Sequence, residues 1–259
     1  MGMNKLSACI ISYNEADRIG ECCESLRFCD EILVIDSHST DDTRTVAAAH
    51  GARVLEHDWT GFRSQRQYAT GQSANDWILS IDADERVSAT LRAELEALRA
   101  NGFAGIAGAS VPTLTSYFGK FLRHGNAWPD RHVRLFDRRQ ARWGGYEIHE
   151  KLLLSGAIAR LEGELEHYSF RSFAEHLAKS DRYAQLMAEQ MFNAGKRASI
   201  ANILFNSPWR FFRGMILKRG WLDGWRGFVF HVVEAGYVRR KYLRLWMLER
   251  SERAKKSPA

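Results

Sequence analysis

The stretch Trp77-Ile-Leu-Ser-Ile-Asp-Ala-Asp-Glu85 joins a short apolar run to three carboxylates. Two acids separated by one residue, Asp82 and Asp84, can converge on one hard divalent cation if the backbone turns after the run. Magnesium or manganese held this way keeps positions open for phosphate oxygens. An apolar run without polar alternation marks a strand buried on both faces of a parallel sheet, and ligands gather at the carboxyl ends of such strands. The pattern predicts Asp82 and Asp84 at a sheet edge facing a cleft. A solvated loop is the competing reading of the same residues.

The elements that must position these acids follow from the rest of the N-terminal part. Residues 5–13 read as a buried strand, and Asn14-Glu-Ala-Asp17 as a loop opening a helix through about Leu26, with Asn14 and Asp17 as caps. Glu31-Ile-Leu-Val-Ile-Asp36 is a second strand ending in an acid. The polar cluster 37–43 then caps a helix through Ala49, Arg53–Glu56 is a third strand, and 61–71 starts a helix leading to Trp77. Strands and helices alternating at this spacing predict βαβ units in a parallel sheet. No Gly-x-Gly-x-x-Gly follows the first strand and no Walker loop occurs, which argues against dinucleotide and P-loop sites.

Composition narrows the class. A chain of 259 residues can form one large α/β domain, or such a domain with a helical extension. The four cysteines fall between Cys9 and Cys29 without a metal-binding spacing, which fits a reducing cytosol. The N-terminus enters a strand-length apolar run directly, so no secretory signal is expected, and no run is long enough to span a bilayer. The net charge of +6 hides an asymmetry. Residues 196–259 hold 15 Lys and Arg against 4 Asp and Glu, leaving 22 against 27 in residues 1–195. An acidic body with a basic, aromatic C-terminal quarter calls for an anionic partner.

Three motifs in order resemble those of inverting family 2 glycosyltransferases with a GT-A fold: Ser12-Tyr-Asn-Glu15, Val34-Ile-Asp-Ser-His-Ser-Thr-Asp41 and Ile81-Asp-Ala-Asp-Glu85. Arg134-Leu-Phe, His149-Glu150 and His167-Tyr168 extend the likeness to the lipopolysaccharide core β-1,4-glucosyltransferase group. The resemblance implies an α/β fold with a mixed Rossmann-like sheet flanked by helices, a catalytic domain over 1–170 and a helical extension over 171–259. It implies that Asn14, Glu15, Asp36 and Ser37 hold the uridine and ribose of a nucleotide-sugar donor, with Arg66 near the nucleotide. Asp82 would lie by the ribose and the metal, Asp84 would bind the cation, and His167 would complete its shell or donate to a phosphate.

An inverting transfer also needs a base to take the proton of the acceptor hydroxyl. The acidic pair that many family members carry in this region is missing, which leaves Glu150 and Glu147, with Glu150 favoured because it follows His149 in the group's pattern. The Gln-x-x-Arg-Trp motif of processive members is also missing, so a single transfer is expected. The implied activity moves a hexose, glucose from UDP-glucose, to a lipopolysaccharide core or other lipid-linked saccharide.

After a helical pattern over 172–195, aromatics and bases interleave from Ile200 onward, as suits the surface of an anionic bilayer or a basic helical layer packed on the protein. The expected location is cytoplasmic, peripheral at the inner membrane. Rival readings are transfer to a peptide or a polyprenyl phosphate, a sugar-binding relative without turnover, and nucleic-acid binding by the basic tail. No nucleic-acid-binding motif is visible, so nucleic acid is not expected as a partner.

Overall fold

The apolar runs of the N-terminal part become neighbouring parallel strands. These are β1 (Leu6–Ser12), β2 (Glu31–Asp36), β3 (Arg53–Glu56) and β4 (Trp77–Asp82), joined by helices α1 (Ile19–Ser25), α2 (Thr43–Ala49) and α3 (Phe62–Gln72). A computed structural model describes residues 4–145 and 150–256. The chain goes on through β5 (Glu85–Val87), α4 (Ala89–Ala100), β6 (Gly108–Tyr117), β7 (Lys120–Phe121), β8 (Asp130–Asp137), β9 (Ala141–Gly145), β10 (Glu150–Leu154), β11 (Ile158–Arg160) and β12 (Leu165–His167). Three long helices end it: α5 (Phe173–Asn193), α6 (Ile200–Phe212) and α7 (Gly224–Lys256).

The main sheet is mixed, in the order β3-β2-β1-β4-β8-β6-β12-β5. The β1, β2, β3 and β4 pairings are parallel, whereas β8 is antiparallel to both β4 and β6. Alternate residues of the parallel strands feed two apolar layers. Ala8, Ile10, Val34 and Leu79 pack with α1 and α4 residues such as Ile19, Leu91 and Leu95. Cys9, Ile11, Leu33, Ile35 and Ile78 pack with Ala69 of α3. Burial on both faces explains why these strands show no polar alternation.

Local details depart from the expected helix starts. Arg18 precedes α1, no side chain caps that helix, and neither Asn14 nor Asp17 fills the role; at α2 the residue before the helix, Asp42, makes no cap bond, and Asp41 Oδ1 accepts from Thr43 N at 3.0 Å instead.

The chain divides into two compact units, Met1–Leu114 with Asp130–Tyr168, and Thr115–Pro129 with Ser169–Ala259. In the second, Arg240 and Arg244 of α7 bind Ser180 and Asp181 of α5. Tyr117 and Phe230 are buried, with Phe170 packed against them and the ring of His176 among them. Tyr117 Oη lies 2.9 Å from Nδ1 of His176. Burial, with Arg240 and Lys179 nearby, pushes the His176 pKa down to about 4.

A histidine depressed in the folded state stabilises the fold fully above its unfolded pKa of about 6.5, and this stability is lost as pH falls toward 4. The second unit should therefore lose on the order of 2 kcal/mol across that window. Denaturant unfolding at stepped pH should show it, with a shallower pH slope in His176→Gln.

Candidate functional site

The site is built where parallel strands end together. Ser12 pairs with Asp36, and Ile11 with Asp82, so β1, β2 and β4 finish side by side with acids on two of the three. Asp36 is fully buried. It accepts hydrogen bonds from Ser12 Oγ at 3.0 Å, from Ser39 N at 2.8 Å and from the Ser39 hydroxyl, so it organises the loop after β2. Asn14 holds the left-handed conformation at φ 53°, which asparagine tolerates better than most residues. Its Oδ1 accepts from Thr40 N at 2.9 Å, tying the loop after β1 to the loop after β2. Glu15 N donates to Thr43 Oγ1 at 2.8 Å, and its carboxylate lies 3.6 Å from Arg18. Ser37 is buried and accepts from Gln65 Nε2 of α3 at 3.0 Å. These four residues thus form one continuous loop edge.

The carboxylates after β4 are held by two buried arginines. Arg66 of α3 donates Nη2 to Asp82 Oδ1 at 2.6 Å, Nη1 to Ser80 Oγ at 3.0 Å and Nε to Glu150 Oε1 at 2.9 Å. One guanidinium therefore joins Asp82 to Glu150 at the start of β10. Arg134 of β8 lies 3.6 Å from Asp82 Oδ2 and donates to Glu85, which is fully buried and accepts from Asp82 N at 2.8 Å. Burial pushes the Asp82 carboxyl up, but Arg66 and Arg134 outweigh it and the net direction is down. Burial wins at Glu85, whose pKa is raised although Arg134 opposes it. Arg66 is held protonated by Asp82 and Glu150, against the cost of its own burial.

Asp84 has other partners. Its Oδ2 is 3.3 Å from His167 Nε2 on β12 and 3.6 Å from Arg18 Nη1. Burial lowers the His167 pKa, but Asp84, Glu85 and Asp82 together lift it to about 9. Among the described residues, no group of three His, Cys, Asp or Glu side chains comes together to hold a metal. The pair Asp84 and His167 still fits a hard cation, because neighbouring ligands on an octahedral ion with bonds of about 2.1 Å lie about 3 Å apart, and such ions take one or two protein ligands with phosphate and water for the rest. Metal binding would displace the imidazole proton.

The structure therefore gathers Asp82, Glu150 and Arg66 into one cluster, Asp84 and His167 into a second, and Asn14, Glu15, Asp36 and Ser37 into the loop edge. Glu147 and His149 lie outside the described residues. Sequence reasoning gave Arg134 only as part of a motif and assigned no role to Arg18. The available signal at Arg134 was a charge on the same strand face as Phe136, where a buried base requires an acid.

Comparison with known proteins gives a consistent family. Residues 7–152 match the model described as Glycosyl transferase family 2. The lipopolysaccharide core biosynthesis glycosyltransferase LpsC of Rhizobium meliloti (strain 1021) is 31% identical over 240 residues, covering 90% of this chain and 88% of that protein. An uncharacterized glycosyltransferase of Rickettsia felis is 30% identical over 96% of this chain and 91% of its own. Among solved structures, the mannosyltransferase PcManGT from Pyrobaculum calidifontis, in complex with GDP-Man and Mn2+, aligns with a TM-score of 0.56 at 14% identity, covering 95% and 88% of the two chains. Glucosyl-3-phosphoglycerate synthase from Mycobacterium tuberculosis, with Mn2+, UDP-glucose and phosphoglyceric acid, aligns with a TM-score of 0.51 at 19% identity, over 76% and 82%.

Removing the arginine that faces Glu85 leaves a buried carboxylate without its partner. Arg134→Met should cost roughly 3 kcal/mol. The exposed pair Arg92–Glu96 gives the control, since Arg92→Met should cost under about 1 kcal/mol. Urea unfolding followed by tryptophan fluorescence compares the two.

Proposed function

The chain belongs to glycosyl transferase family 2 and has the GT-A fold, and from that premise we propose that this transferase is a metal-dependent, inverting enzyme. It moves a hexose, glucose from UDP-glucose, to a lipopolysaccharide core or other lipid-linked saccharide, working peripherally at the inner face of the membrane. The observation that carries the reading is the single guanidinium of Arg66 joining Asp82 to Glu150. It brings a candidate base beside the acids that end the parallel sheet.

In this reading residues 1–170 are the catalytic domain and 171–259 its helical extension. Asn14 and Glu15 contact the nucleoside, and Asp36 and Ser37 fix the loop that receives it. A site that pairs such groups with uracil and ribose rejects analogues lacking the matching donors. Asp82 lies at the ribose side. A divalent cation, magnesium or manganese, would be held by Asp84 and His167 and would neutralise charge on the diphosphate.

The acceptor oxygen attacks the anomeric carbon from the face opposite the diphosphate. The bond from that carbon to the diphosphate oxygen breaks with its electron pair, and Glu150 takes the hydroxyl proton. Arg66 engages Oε1 of Glu150, which leaves Oε2 to receive that proton. The likeness to LpsC supports a core saccharide as acceptor, and the basic C-terminal quarter supports one carried on an anionic lipid surface.

Calorimetric titration with UDP should show binding that needs manganese, vanishes with EDTA and is lost in Asp84→Ala. Absence of UDP binding with and without metal would end the donor assignment. Glu150→Gln should keep UDP binding while kcat falls by roughly 100-fold or more. A Glu150→Gln enzyme with unchanged kcat would remove Glu150 as the base.

A further inference from the structure

Helix α6 is amphipathic in the opposite sense to an ordinary surface helix. At about 100° per residue, Ile200, Leu204, Phe205, Pro208, Trp209 and Phe212 fall within one half of its circumference. That half is the exposed one: Leu204 is 58% exposed, Phe205 69% and Trp209 56%, and no residue of the helix is buried. The polar residues lie on the other half and make the internal contacts. Ser207 Oγ donates to the carbonyl of Ala235 at 2.8 Å, Arg210 pairs with Glu234 at 2.8 Å, and Asn126 Nδ2 donates to the carbonyl of Arg210. A soluble helix hides its apolar half.

The exposed apolar surface continues along the chain. Ile216 and Leu217 are more than half exposed in the π-type turn Arg213–Leu217. Trp221, Trp225, Phe228 and Val232 are exposed at intervals of four, three and four residues, running from the 3-10 turn Gly220–Asp223 onto α7. Charge selects what covers this surface. Residues 196–232 contain seven Lys and Arg and a single acid, Asp223. That acid is buried and accepts from the backbone of Arg123 and His124, so the acid exposes no charge to offset Arg213 and Arg219 at the surface. Two copies of this chain meeting through the patch would bring these bases together. An anionic lipid surface offers the opposite charge.

We propose that the outward half of α6, the turns after it and the start of α7 form a face that lies in the headgroup region of an anionic bilayer, parallel to its plane. This deepens the membrane location in the reading above by assigning it to particular residues. Aromatic and aliphatic side chains enter the acyl boundary and the bases stay with the phosphates. Among the described residues no helix is long and apolar enough to cross a membrane, so the face lies on the bilayer and does not span it.

Co-flotation of the full-length protein with phosphatidylglycerol-rich vesicles, against pure phosphatidylcholine, tests this. Binding to the anionic vesicles is expected, with a blue shift of tryptophan emission and weakening at high salt. The double variant Phe205→Ser/Trp209→Ser should bind roughly tenfold more weakly, and so should Arg213→Glu/Arg219→Glu, both with unchanged circular dichroism. No vesicle binding, or equal binding by wild type and both variants, overturns the proposal. So does a dimer in light scattering that these substitutions dissociate while vesicles bind nothing. Flotation is read without a sugar donor and UDP titration without vesicles, so the membrane face and the transferase reading fail separately.

Discussion

Four carboxylates, Asp36, Asp82, Asp84 and Glu85, crowd the carboxyl edge of the sheet, and two of them, Asp36 and Glu85, are fully buried. Each loses hydration there, and Asp82, Asp84 and Glu85 repel one another, a cost of several kcal/mol per ion unless matched by charge and hydrogen bonds. Their partners come from different parts of the chain. Arg66 arrives on α3, Arg134 on the antiparallel strand β8, Arg18 just before α1, and the donors to Asp36 from the loop it terminates. The sheet edge can form only when these elements are in place, so the charge balance of the site and the topology of the first unit are one constraint.

Arg66 and Arg134 divide the work differently. Arg134 faces inward, to Glu85 and the carbonyl of Ser80, and holds the turn between β4 and β5. Arg66 reaches outward from Ser80 through Asp82 to Glu150. A planar guanidinium suits that span because its donors diverge at fixed angles, whereas a lysine would offer one point charge on a flexible stem. The rigidity matters for a base, since proton transfer requires the carboxylate within hydrogen-bond reach of the attacking hydroxyl.

The parallel strands were legible because burial on both faces forces unbroken apolar runs, and the acids that close β2 and β4 stood out against them. The mixed half of the sheet was less so. β5 and β12 are three residues each and carry Glu85 and His167, so charge rather than hydropathy defines them. Helix caps misled for a related reason: Asn14 gives its Oδ1 to Thr40 of the next loop, a choice that depends on a partner distant in sequence, whereas Asp41 divides its oxygens between Ala16 N and Thr43 N at the start of α2. Arg66 is placed near the nucleotide by resemblance alone, and its bonds to Asp82 and Glu150 depend on partners distant in sequence.

The C-terminal helices show what hydropathy cannot supply by itself. The aromatic and basic interleaving of residues 200–228 is equally compatible with an apolar half turned inward or outward. The direction is set by hydrogen bonds. Ser207 and Arg210 find a carbonyl and a carboxylate on α7, and satisfying them turns Phe205 and Trp209 to the outside. Burying the aromatic half against α7 would cover the Glu234 carboxylate with apolar side chains and take Arg210 away from it, and a charge covered without its partner costs more than the hydrogen bond contributes. The exposed apolar surface is thus a consequence of polar satisfaction within the second unit.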